Sequence, residues 1–76
     1  MAEQTIQQRY VQLLLDHVRV DPFPSLEHMN LIESTVRDPE QLVEYLEVLM
    51  EKVEDSRFPS LQMLRRIQRI AAMLPA

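Results

Sequence analysis

The sequence predicts an all-α domain of four helices, arranged as a tandem pair of helix hairpins. Three observations predict it. Residues Tyr10 to Val36 realign without a gap onto Tyr45 to Ala71 at a shift of 35 residues, with eight of the 27 paired positions identical. A period of that length marks a supersecondary unit used more than once. Apolar residues recur at helical three- and four-residue spacing through four separate segments. Glycine is absent from all 76 residues, which argues against the tight turns that β-hairpins need.

Each element follows in order. The first helix runs roughly from Glu3 to Arg19, with Ile6, Tyr10, Val11, Leu13, Leu14, Leu15 and Val18 as its apolar positions. Pro22 and Pro24 end it, because proline cannot donate to the helical ladder. The second helix starts with either Pro24 as its first residue or Ser25 as its cap, and ends near Val36. The third has Asp38 as cap, Pro39 in the first position and Gln41 completing a capping box, and continues to about Glu54. The fourth begins at Pro59 or Ser60, runs to about Met73 and is stopped by Pro75.

The two copies share an unbroken Phe-Pro-Ser-Leu block, Phe23 to Leu26 and Phe58 to Leu61. It forms the corner of each hairpin. The two phenylalanines are expected to plug the open ends of the hairpins, as a hydrophobic staple does. Short connections make neighbouring helices fold back on each other. Compact orthogonal or bundle-like packing follows, and a pseudo-twofold axis is one way of relating the hairpins. The chain is expected to form one domain, residues 1–76, with pseudo-repeats 10–36 and 45–71.

The 35-residue period is close to that of tetratricopeptide repeats, but the tryptophan, glycine and small alanines of that pattern are missing. A helix-turn-helix reading fails on the corner composition and on the net charge of −4. No family resemblance is drawn.

Composition excludes several functions. Without cysteine there are neither disulfides nor thiolate metal sites, which is compatible with a reducing, cytoplasmic location. Without glycine there is no P-loop or dinucleotide fingerprint. The opening Met1-Ala-Glu-Gln has no basic region or apolar run, so no signal peptide is expected, and no stretch is apolar enough to span a membrane. No serine has an evident base, so catalysis is not expected. No cofactor, metal or small-molecule substrate is implied.

Surface patterning is the remaining functional signal. The first and third helices each carry an apolar arc wider than a bundle helix needs: either both sit centrally in a monomer with neighbours on two sides, or, the favoured reading, one edge is an interface for a homo-oligomer or a protein partner. Leu15, Leu31, Val43 and Met50 are its candidate contacts. Glu40, Glu44, Glu47 and Glu51, with Glu54, recur at four- and three-residue intervals along one face of the third helix. That ladder is either a solvated face or a dock for a basic partner. Arg65, Arg66 and Arg69 line the outward face of the fourth helix. They either pair with the acids of the third helix or contact a partner. His17 and His28 flank the first corner and are expected to be packed and satisfied rather than metal ligands, and Tyr10 and Tyr45 are both expected to face the core.

The expected function is therefore a small non-catalytic helical interaction module that self-associates through surplus apolar surface on its first and third helices. The alternative is an anion-binding regulator using the arginine face on a nucleic-acid backbone or acidic lipid. Nucleic acid is the less favoured partner, since the chain is acidic and no aromatic residue sits among the arginines.

Overall fold

The computed structural model describes residues 4–74 and contains four helices: α1 (Ile6–Val20), α2 (Leu26–Thr35), α3 (Pro39–Asp55) and α4 (Leu61–Ala71). No strand occurs among the described residues. Each helix has a side-chain N-cap. Thr5 accepts from the Gln8 N–H at 3.0 Å while the Gln8 side chain accepts from the Thr5 N–H at 2.8 Å, a full capping box. The first helix therefore begins at Ile6, later than the expected start at Glu3, because Thr5 is its cap; Glu3 and Pro75 themselves lie outside the described residues. Ser25 and Ser60 decide between the two schemes proposed for the corners: both are caps, accepting from His28 N–H and Met63 N–H. Asp38 caps α3 through the Glu40 N–H, but Gln41 does not complete a capping box. Its side chain is buried and donates to the Gln8 carbonyl at 2.8 Å. An amide buried between helices needs a partner there.

One core joins the helices: Val11, Leu14, Leu15 and Val18 from α1, Met29 and Ile32 from α2, Tyr45, Leu46, Val48 and Leu49 from α3, and Ile70 from α4. α1 packs on α2, α3 on α4, and the two long helices on each other, in a bundle-like arrangement. No helix among the described residues is long and apolar enough to cross a membrane.

The long helices lie parallel. Near their starts Gln41 reaches Gln8; near their ends the Lys52 ammonium donates to the carbonyls of Arg19 and Asp21 at 3.1 and 2.6 Å. Lys52 thereby occupies the carbonyl end of α1, where a cation is favoured. These contacts are not reciprocal. A twofold axis would pair Ile6 with Val43 just as Gln8 pairs with Gln41, yet Ile6 and Val43 are both exposed. The two hairpins therefore meet head to tail, and the pseudo-twofold expectation is corrected.

The corner phenylalanines are corrected too. Phe23 and Phe58 remain 88% and 85% exposed and plug nothing. Phe23 sits between Pro22 and Pro24, whose rings fix the backbone, and its N–H donates to the Asp21 carboxylate in a tight turn. That geometry turns the ring to solvent.

Candidate interaction surfaces

The arginine face is largely occupied. The Glu33 carboxylate on α2 accepts from the Tyr45 hydroxyl at 2.5 Å, from Arg66 in a short ion pair, and from Arg69 at 2.9 Å. Arg66 also reaches Asn30. The side chains of Glu33 and Arg66 are only 15% and 14% exposed. The arginines thus pair with an acid of α2, not with those of α3 as expected. Arg66 is a bridge between hairpins, not a free contact, and Arg69 shares its acid. Arg65 is exposed and makes no ion pair among the described residues. Burial and the Glu33 bond hold the Tyr45 hydroxyl far above the usual tyrosine range. Burial alone would lower the Arg66 pKa, but its bond to Glu33 and the surrounding charges outweigh that and raise it.

The acidic ladder is not uniform. Glu44 leans onto α1, accepting from Gln12 at 3.0 Å and Arg19 at 2.9 Å. Glu40, Glu47, Glu51 and Glu54 stay exposed.

The apolar candidates separate in the same way. Leu15 is fully buried in the shared core, so it cannot meet a partner, and that expectation is corrected. Leu31, Val43 and Met50 are each about two-fifths exposed, at 42%, 40% and 42%. The larger uncovered surface lies on α1. Ile6, Tyr10, Leu13, His17 and Val20 follow one another at intervals of four and three, so they share a face. All five are exposed, the apolar ones at 78%, 43%, 66% and 78%. Tyr10 therefore does not join the core as expected, whereas Tyr45, its counterpart in the repeat, is completely buried.

The two corners lie side by side and frame a cleft of about 280 Å³. Phe23, Phe58, Val53 and Met63 supply its apolar wall, and Lys52 its polar edge. His17 and His28 meet edge to face at 4.7 Å, with Asp21 beside them. The buried His28 Nδ1 has no hydrogen-bond partner, so this histidine is packed but not satisfied. The ligand atoms of the three all lie within 4.8 Å of one another. One Asp21 oxygen already holds the Phe23 N–H, and the Lys52 ammonium touches the Asp21 carbonyl.

Glu33 and Lys52 were not singled out in the sequence, Gln41 was read only as part of a capping box, and the α1 stripe only as part of a wide apolar arc. A helical wheel gives a partial signal for Glu33, which borders the Met29 and Ile32 face of α2. Nothing local marks Lys52 as the cap of a helix 31 residues away.

Comparison with protein-family models, curated proteins and solved structures gives no match.

Proposed function

We propose that this chain is a non-catalytic helical protein-interaction module that self-associates through apolar surface on α1 and α3. The observation that carries the reading is the α1 stripe. Ile6, Tyr10, Leu13 and Val20 form a continuous uncovered row, and Leu31 of α2 lies exposed as well. Scattered exposed leucines are ordinary, but an ordered row along a whole helix is a contact surface. Val43 and Met50 add exposed apolar area on α3. The flanking charges, Arg9 and the free acids of α3, would set specificity more than affinity.

The anion-binding alternative has less to work with. Two of its three arginines are engaged by Glu33, which leaves Arg65 as the one unpaired member of that set. Nothing favours it over protein contact.

Sedimentation equilibrium tests the reading. The average mass should rise with concentration up to about 1 mM, a range that covers interfaces as weak as transient complexes. Leu13→Glu, which would place a charge in the contact, should weaken association about tenfold or more with unchanged helicity. A wild-type chain that stays at its monomer mass throughout would refute self-association.

A further inference from the structure

We infer that the partner is a second copy of this chain, docked head to tail so that it continues the stacking already present inside the molecule. This rests on the self-association reading above and specifies its geometry.

The argument starts from what α3 does with the face equivalent to the α1 stripe. Thirty-five residues on from Ile6, Tyr10, Leu13 and His17 stand Gln41, Tyr45, Val48 and Lys52. In α3 that face is buried against the first hairpin: Gln41 bonds Gln8, Tyr45 bonds Glu33, and Lys52 bonds the end of α1. Among the described residues nothing packs on the equivalent face of α1, so its own copy of the docking face stands open.

The surface that receives α3 also has a second, open copy. Gln8, Gln12, Leu15, Arg19 and Glu33 receive it, and their equivalents are Val43, Glu47, Met50, Glu54 and Gln68. All five equivalents are exposed. One end of the molecule thus shows an unfilled donor face, and the other end an unfilled acceptor face. In stacked-repeat proteins such ends are normally closed by polar capping units.

Moving each internal contact on by one unit tests whether two copies would fit. The Gln41–Gln8 contact becomes Ile6 against Val43, apolar on apolar. Tyr45–Glu33 becomes Tyr10 against Gln68, a hydroxyl facing an amide. Arg66–Glu33 becomes Leu31 against Gln68, with the Arg65 stem beside it. Glu44, which holds Gln12 and Arg19, is replaced by Arg9, and its two partners become Glu47 and Glu54. The ion pair survives with its signs reversed. Arg9, Glu47 and Glu54 make no ion pair among the described residues, so all three are free to form it. No like charges are opposed in the transposed set. A twofold dimer of α1 stripes would bring two Arg9 side chains to one interface and leave the acids of α3 unused.

A heterologous contact of this type does not close on itself unless the rotation per unit happens to complete a ring. The chain should form open assemblies that grow with concentration. Each internal contact is helped by its tether, which supplies millimolar effective concentration, so the contact between separate copies is the weaker of the two.

The experiment uses one blocked face at a time. Leu13→Glu blocks the donor face and Met50→Glu the acceptor face; both residues are exposed, and circular dichroism verifies that each variant folds. By sedimentation velocity each variant alone should be monomeric, while an equimolar mixture should form a one-to-one dimer and nothing larger. Arg9→Glu should weaken wild-type assembly, and adding Glu54→Arg in the same chain should restore it. A Met50→Glu variant that still dimerises, with no gain on mixing, would overturn head-to-tail docking while leaving self-association intact. Wild-type monomer at every concentration would overturn both.

Discussion

Replacing Glu33 by alanine removes the one acceptor shared by Tyr45, Arg66 and Arg69. Tyr45 is completely buried, so its hydroxyl loses its partner without water to replace it. An orphaned buried polar group costs about 1–3 kcal/mol. Arg66 is left as a nearly buried, unpaired cation. Breaking a buried pair costs about 3–5 kcal/mol, but Arg66 keeps an edge to water, so the lower figure applies. Arg69 is mostly exposed and adds no more than a few tenths of a kcal/mol. These costs overlap, and about 3 kcal/mol is the combined expectation. A chain of this size has roughly 4–11 kcal/mol of stability in all. The variant should therefore fold but melt about 12–24 °C lower, at about 4–8 °C per kcal/mol. Thermal and urea melts followed by circular dichroism measure it. Glu33→Gln keeps a carbonyl acceptor for Tyr45 and should lose less. In a double-mutant cycle with Tyr45→Phe the two effects should fall short of additive. A loss under about 1 kcal/mol would mean that Glu33 behaves as a surface ion pair, and the bridge between hairpins would have to be abandoned.

Further expectations concern stability and the corners. The Tyr45 hydroxyl ionises at higher pH in the folded chain than in the unfolded one, so stability should hold below about pH 10 and fall as pH rises beyond it, because only the unfolded state then releases the proton. Tyr45→Phe should flatten that alkaline decline in urea titrations; an unchanged decline would assign it to another group. Thr5→Ala removes the capping box of α1 and should cost about 1 kcal/mol, seen as a lower urea midpoint with unchanged slope. Phe23→Ser with Phe58→Ser should alter stability by no more than about 0.5 kcal/mol each, since both rings face solvent; a loss above about 2 kcal/mol would place them in the packing after all.

Much of the secondary structure was legible along the chain. Asp38-Pro39 announced α3, and Ser25 and Ser60 were the two halves of an either-or that the structure resolved as caps. Thr5 and Gln8 were an equally readable capping box, overlooked because the expected helix began earlier. Gln41, Arg66 and Leu15 were each read against their neighbours in sequence, while their positions are governed by another helix; Phe23 is instead turned outward by its own corner, between two prolines and the Asp21 carboxylate. Gln41 left its cap for Gln8, Arg66 passed the acids of α3 for Glu33, and Leu15 was sealed in the core shared by the helices.

The sequence by itself determined that the chain is helical, roughly where its four helices lie, and that they carry wide apolar faces. Those properties depend on periodicity, caps and prolines, which act over a few residues. Which apolar residues remain uncovered was decided only in three dimensions. Tyr10 and Tyr45 are the same residue at the same place in the repeat, and one is exposed while the other is sealed. The difference is that the Tyr45 face of α3 packs against α1 and α2 while, among the described residues, nothing packs on the Tyr10 face of α1, a matter of tertiary stacking that no local pattern encodes.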